Sequence, residues 1–217
     1  MTCKERHHIT VHEACTTGNT SSLSSHVSNK VRQTTVTVLL ATARVSVTDR
    51  LGSSHIIRAL IDPDSEVSVI TEALAQRLQL TRTKASVAIY GVGAQRTGMT
   101  RGLVDLAIQS RTSEFTMRIT AHVLPRVTLY IGKLTNSNMV WPHLEGIELA
   151  DPDCHSNDPV ELLLGADTYA AILRPGLRNG GPLAPLAQQT TLGWILSGIA
   201  GSRKSQEAIS SNQCAVD

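Results

Sequence analysis

Aromatic side chains are nearly missing from this chain: two Trp, three Tyr and one Phe make up 3% of its 217 residues. A core has to be built from Leu, Val, Ile and Ala, and stacking platforms for single-stranded nucleic acid have little to work with. Nor does one sign of charge dominate. Twenty Lys and Arg against eighteen Asp and Glu leave a formal +2, without the basic footprint of a nucleic-acid binder. No uninterrupted apolar run approaches the roughly 18 residues that suggest a membrane helix. The opening MTCKERHHITVHEAC has no apolar segment of the kind a signal peptide carries, so an intracellular, cytoplasmic location is expected. Cysteine is scarce too, and Cys3, Cys15, Cys154 and Cys214 read as reduced thiols rather than a disulfide framework. What is present, 41% hydrophobic and 18% charged residues, suits one globular domain with extensions.

Composition divides the chain. Residues 1–15 hold a Cys/His-rich opening, and Thr16 to Lys30 is Ser, Thr, Asn and Gly with almost no aliphatic content, which cannot offset the entropy of ordering and reads as a flexible linker. The folded part is expected from Val31 to about residue 200, with 201–217 a flexible tail of Ser, Gln, Asn and Lys. Between these limits the dominant period is two. Thr35 to Val47 is rich in β-branched residues, a Leu51-Gly52-Ser53-Ser54 turn follows, and His55 to Ile61 completes a hairpin ending at Asp62. Further strands are expected at Ala85 to Tyr90, Gly102 to Ile108, Phe115 to Leu124 and Glu161 to Leu164. Two short helices interrupt them. Ser68 to Leu78 places Val69, Ala73, Leu74 and Leu78 at helical spacing, and Ala166 to Leu173 follows Gly165. The pattern is that of a closed or sandwiched β-domain.

The residues Leu60-Ile61-Asp62-Pro63-Asp64-Ser65 place an acid where an apolar strand enters a turn. A carboxylate there is held by a rigid element, which suits a general acid or base. The same pattern also fits an ordinary Asp turn with Ser65 or Ser68 capping a helix. Taken with two distant segments, Ile89-Tyr90-Gly91-Val92-Gly93 and Glu161-Leu162-Leu163-Leu164-Gly165-Ala166-Asp167, it resembles the retropepsin-type aspartic peptidase domain of BEL/Pao retrotransposon polyproteins. Thr190-Thr191-Leu192-Gly193-Trp194-Ile195-Leu196-Ser197-Gly198 is similar to the ending of that polyprotein domain, and the resemblance runs from about Val36 to Gly201.

This resemblance implies an all-β, retropepsin-like (acid protease) closed barrel with one or two short helices and a C-terminal extension. It implies an aspartic endopeptidase that processes its own polyprotein, with Asp62 as catalytic carboxylate and Pro63, Asp64 and Ser65 as the active-site turn. Tyr90, Gly91, Val92 and Gly93 would belong to a flap or cleft, and Leu164, Gly165 and Asp167 would support the turn. Retropepsins carry one such Asp per subunit, so two copies of Asp62 would meet in a homodimer and share a proton. Implied partners are a peptide or polyprotein substrate and a second copy, with no cofactor, no metal, no membrane and no direct nucleic-acid contact.

Two residues depart from the family pattern. Pro63 stands where a Ser or Thr hydroxyl links the two loops across the dimer, and Asp64 stands where Gly lets backbone pass close to substrate. A dimer would gather four carboxylates at its centre, which implies impaired catalysis. The alternative is an inactive relic or a module that binds a peptide strand or itself. Cys3, His7, His8, His12 and Cys15 resemble the trailing part of a Cys/His cluster upstream of the peptidase, read as a truncated remnant rather than a zinc site. Gly91 to Gly98 lacks the Gly-Lys-Ser/Thr of a phosphate loop and fits a mobile hairpin or a solvent-facing turn. Trp141 and Trp194 read as packing residues, Leu134 to Leu149 as an insertion beside the barrel, and Asp151 to Asp158 as a solvated acidic loop.

Overall fold

The structure, a computed structural model, describes residues 35–90, 96–128 and 141–202. The long β-branched run at its start forms two strands rather than one, β1 (Thr35–Leu39) and β2 (Thr42–Thr48), which join different sheets. β2 pairs antiparallel with β3 (Ser54–Ile61) from Thr42↔Leu60 to Thr48↔Ser54, giving the expected hairpin. At its tip the Asp49 carboxylate is bonded to the His55 ring (2.8 Å) and accepts the N–H groups of Ser53 and Leu51 (both 2.9 Å). The bond from His55, followed by those backbone donors, holds the Asp49 carboxyl below the usual carboxylate range.

The chain continues through β4 (Ser68–Thr71) and α1 (Glu72–Arg77), then β5 (Arg82–Thr83), β6 (Ala88–Tyr90) and β7 (Arg96–Met99). β8 (Leu103–Gln109) and β9 (Thr116–Leu124) form a long antiparallel pair. After a 3-10 turn at Pro142–Leu144 come β10 (Leu162–Leu164), α2 (Ala166–Ile172), β11 (Leu173–Arg178), β12 (Leu186–Thr190) and β13 (Gly193–Ser202).

Six strands close a barrel in the order β2-β3-β10-β4-β9-β8, sealed where Ser46 and Val47 of β2 pair with Gln109 and Ile108 of β8. The β3–β10 and β4–β9 pairs are parallel. Alternation does the packing: Ala43, Val45 and Val47 of β2 face inward with Val104, Leu106 and Ile108 of β8 and Ile119, Ala121 and Val123 of β9. This barrel core has no buried aromatic ring, and Phe115 and Tyr169 pack against its margin. The shortage of aromatics in the sequence is met as expected.

The helix expected from Ser68 is a strand for its first four residues. Ser68–Thr71 is fully buried between β10 and β9, and that setting suits β-branched Val69, Ile70 and Thr71 better than a helix does. The Thr71 hydroxyl then accepts the Leu74 N–H (3.1 Å) and caps α1.

A second sheet, order β1-β13-β12-β11, is antiparallel throughout. One of its faces buries Leu39, Ala187, Leu196 and Ala200 against Cys154, Trp141, Leu144, Ile147 and Leu149. Trp194 packs in the same cluster with the Arg178 guanidinium 5.5 Å from its ring centroid, so both tryptophans serve packing. β13 extends to Ser202, two residues into the expected tail. The expected N-terminal Cys/His remnant, the linker, the rest of the tail, and Cys3, Cys15 and Cys214 lie outside the described residues.

The loop from Asp151 to Asp158 is solvated only in part: Asp153 and Asp158 are exposed, whereas Asp151 and Cys154 are buried. Asp151 is buried and accepts hydrogen bonds from Thr42 Oγ1 (2.7 Å), Arg58 Nε (2.8 Å) and Arg44 Nε (3.1 Å). Arg58, equally buried, donates its remaining N–H groups to the carbonyls of Cys154 (2.7 Å), Ser156 (2.9 Å) and Asp158 (3.2 Å). Arg44 also pairs with the Asp158 carboxylate, whose pKa falls below the ordinary value chiefly through that bond. Composition suggested solvent because the cations that neutralise this loop lie about a hundred residues earlier.

Beside this network the Cys154 thiol is buried and free, and burial pushes its pKa up to about 11. Iodoacetamide at pH 8 is expected to leave Cys154 unmodified in the native chain and to label it in urea, as read by peptide mass mapping. Labelling at the same rate in both states would contradict the buried position.

Candidate active site

The site is built where β3 ends. The parallel pairing of Ile61 with Leu164 continues as Asp62 donates its N–H to the Leu164 carbonyl (3.0 Å), so the backbone of Asp62 is tied to β10. The chain then folds back on the Asp62 side chain. One carboxylate oxygen, Oδ1, accepts the Asp64 N–H (3.1 Å), and the other, Oδ2, accepts the Ser65 hydroxyl (2.7 Å). The Ser65 N–H also reaches the Asp62 carbonyl (3.3 Å). A two-donor cradle of this kind fixes the carboxylate's orientation without a metal or a second side chain from elsewhere. Asp64 sits outside the left-handed region of backbone angles, in which Gln79 is the one non-glycine residue among those described. The turn therefore closes without the glycine that the resemblance would place there.

The second motif lies directly beneath. Gly165 follows β10, and a Cβ on it would come within 2.7 Å of the Val67 carbonyl carbon, 2.8 Å of Val67 O and 2.9 Å of Ser65 O. Only a residue without a side chain allows this approach. The Gly165 N–H donates to Ser68 Oγ (3.1 Å), the Ala166 N–H donates to Ser65 O (2.8 Å), and Ser68 Oγ lies 3.2 Å from Thr168 Oγ1. Two segments a hundred residues apart are thus knitted into one support. Gly165→Ala is expected to cost about 1–3 kcal/mol, since the backbone it would strike cannot swing aside as a side chain could. Urea titration measures this, and an unchanged midpoint would contradict the close approach.

Leu164 accepts the Asp62 N–H, and Gly165 lies against the backbone of Ser65 and Val67. Asp167 is exposed, and its side chain makes no hydrogen bond or ion pair among the described residues. Thr168, one residue later and fully buried, reaches Ser68 instead. The sequence offered Ser68 only as a helix cap and did not single out Thr168, because their partners are distant and a buried Ser or Thr leaves no periodic signature.

Asp62 is half-buried at the edge of a cavity of about 510 Å³, whose walls include Leu60, Pro63, Asp64, Tyr169, Val38 and Ile195. Pro63 and Asp64 are exposed, and the Asp64 carboxylate has no partner among the described residues. Tyr90 is exposed at the end of β6 in the β6–β7 hairpin, where Ala88 pairs with Met99 and Ile89 with Gly98. Gly91, Val92 and Gly93 lie outside the described residues. Among the described residues no group of three or more His, Cys, Asp and Glu is disposed to hold a metal ion, and no helix is long and apolar enough to cross a membrane.

No family model and no curated protein matches the chain. Among solved structures it is similar to the retroviral protease-like domain of Ddi1 from Leishmania major, at 10% identity and a TM-score of 0.33, over 79% of this chain and 99% of that one. It is also similar to a retropepsin-like aspartic protease from Rickettsia conorii, at 12% identity and a TM-score of 0.30, over 78% of this chain and 94% of that one.

Proposed function

We propose that the barrel and its second sheet form one subunit of a retropepsin-like aspartic endopeptidase of BEL/Pao retrotransposon origin, acting on peptide bonds of a polyprotein. The observation that carries this reading is the cradle at Asp62: a carboxylate at a strand end, oriented by the Asp64 N–H and the Ser65 hydroxyl, beside a largely apolar cavity. The barrel supports it by fixing that turn from below through Gly165 and Ser68.

In this reading one chain supplies half of the chemistry. Two Asp62 carboxylates meet across a two-fold axis and hold one proton between them. The ionised member takes a proton from a water molecule, whose oxygen attacks the scissile carbonyl, while the protonated member gives its proton to the carbonyl oxygen. Collapse of the tetrahedral intermediate then breaks the C–N bond: the carboxyl that took the water's proton gives it to the leaving nitrogen, and the other carboxylate takes one proton from the gem-diol, which restores the shared proton. The cavity walls Leu60, Val38 and Ile195 favour apolar substrate side chains.

Pro63 and Asp64 set the rate below that of a turn carrying a hydroxyl and a glycine. Pro63 has no hydroxyl and no N–H with which to link the subunits, and Asp64 adds two carboxylates to the dimer centre. The second reading, an inactive module that binds a peptide strand or itself, is favoured by that same Asp64, exposed beside Asp62. Digestion of a peptide library by the full chain from pH 4 to 7 separates the two. Cleavage that strengthens toward the acidic end and rises more than linearly with chain concentration is expected. A dimer that cuts nothing at any pH would move the function to the second reading.

A further inference from the structure

The motif Thr190-Thr191-Leu192-Gly193-Trp194 closes the turn from β12 to β13 and builds a second cavity. The Thr190 hydroxyl donates to the Gly193 carbonyl (2.7 Å) and accepts the Leu192 N–H (3.1 Å). Gly193 takes a φ of +108°, and a Cβ there would come within 2.9 Å of the Ala150 nitrogen. That close approach lets residues 148–150 run beside β13, where the Trp194 N–H donates to the Glu148 carbonyl and the Ala150 N–H to the Trp194 carbonyl (both 2.9 Å). Together with the β8–β9 turn these pieces wall a cavity of about 480 Å³, a size usual for ligand sites.

This cavity and the one at Asp62 lie on opposite faces of the second sheet. Side chains alternate along a strand, so Gln188 and Ile195 line the cavity at Asp62 while their neighbours Gln189 and Trp194 line the second one. No described residue lines both. The Thr191 N–H donates to the carbonyl of Ile172 (2.8 Å), the last residue of α2, whereas the Asp62 turn is held at the first turn of that helix through Ala166.

The lining is equipped for a ligand. The chain's single Phe and one of its two Trp, Phe115 and Trp194, stand here. Gln189 carries a carboxamide with no hydrogen-bond partner among the described residues, and the hydroxyl of buried Thr191 is unpaired as well. Unpaired polar groups in such a wall are uncommon and call for a partner. A carboxamide offers both donors and an acceptor, the complement of a peptide group. At the exposed rim Arg174 and Glu148 form no ion pair among the described residues. One free cation beside one free anion disfavours a phosphate ligand and suits a peptide, whose backbone is neutral.

We propose that this cavity is an exosite for an extended peptide segment of the substrate, with a Phe, Leu or Met side chain set against Phe115 and Trp194 and the peptide backbone paired with Gln189. That the segment belongs to a polyprotein substrate rests on the peptidase reading. That the cavity takes a peptide rests on its own lining.

Trp141→Phe leaves Trp194 as the sole tryptophan and a reporter within the cavity. In that background, with Asp62→Asn to stop cleavage, the full chain is titrated with nonapeptide pools free of Trp and Tyr and sorted by their central residue. Pools centred on Phe, Leu or Met are expected to shift Trp194 emission saturably. Gln189→Met is expected to weaken that binding about tenfold, as losing one or two net hydrogen bonds would, at an unchanged urea midpoint because the carboxamide has no partner among the described residues to lose. Gln188→Met, one residue away on the opposite face, is expected to keep the response. No saturable shift with any pool, or equal binding by Gln189→Met and its parent, overturns the proposal. So does a response lost in Gln188→Met alone, which would place the peptide in the cavity at Asp62, or a shift produced by inorganic phosphate and by no peptide. The two readings fail separately. Gln189-dependent binding in a chain that cleaves nothing keeps the exosite chemistry and removes the peptidase, whereas Asp62-dependent cleavage of peptides that leave Trp194 unmoved does the reverse.

Discussion

Replacing Asp62 by Asn is expected to lower peptide cleavage about 10²–10⁴-fold, the span that a positioned acid or base contributes, and to leave the fold intact. The second expectation follows from the cradle. Asn keeps a carbonyl oxygen to accept the Asp64 N–H, and the Ser65 hydroxyl, which now donates to Oδ2, can turn and accept from the new amide. The side chain's size is unchanged and Asp62 is only half-buried, so the thermal midpoint should stay within about 3 °C of the parent, under roughly 1 kcal/mol for a chain of this length. Loss of activity at constant stability is what separates a chemical role from a structural one. If cleavage by Asp62→Asn equals that of the parent, the carboxylate does no chemistry. If cleavage falls together with a drop of many degrees, Asp62 serves the turn, and the cradle is an Asx turn that happens to face a cavity.

The part of this site written in local pattern was the part legible in sequence. His55 to Ile61 ends its apolar alternation in an acid followed by Pro-Asp-Ser, and Leu162-Leu163-Leu164 ends in a glycine before a helix; both are short-range signals, and both stand at the site. The barrel followed from period-two runs that do face the core in alternation. Three features were out of reach for one reason, that their cause lies far along the chain. Leu40 and Ala41 interrupt a β-branched run that nothing local breaks, because β1 is claimed by β13 while β2 is claimed by β3. Ser68 to Thr71 has helical spacing yet is extended, since β9 and β10 flank it. The hydroxyl pair Ser68 and Thr168 has meaning only once the fold brings Thr168 and the Gly165 N–H together on Ser68 Oγ.

The same distance effect conceals the residue whose loss should damage the fold most. Arg58→Met is expected to destabilise the chain by about 3–5 kcal/mol, the usual cost of removing one partner from a buried ion pair, or about 10 °C in midpoint for a domain of this size. Methionine fills much of the space and matches the apolar strand around it, so a cavity is not the main cause. The cost comes from what is stranded: Asp151 loses its 2.8 Å partner, and the carbonyls of Cys154, Ser156 and Asp158 lose their donor with little water to replace it. Asp151→Asn should cost a similar amount, because two guanidinium groups then face each other across the β2–β3 pairing at Arg44↔Arg58. The double variant should cost well below the sum of the two, since each change removes what the other leaves unpaired. Urea midpoints of the four chains measure this, and 0.5 M salt should shift the differences little, as buried charges are poorly screened. Additive costs, or an Arg58→Met chain within about 1 kcal/mol of the parent, would show that the loop is held by its apolar contacts alone. The network also bears on the site. Cys154 packs with Leu39 and Leu196, and Leu39 lines the cavity at Asp62, so the ion pairs that bind residues 151–158 to β2 and β3 also steady the sheet beside the Asp62 turn. Loosening them should weaken cleavage along with the fold, whereas Asp62→Asn removes cleavage alone.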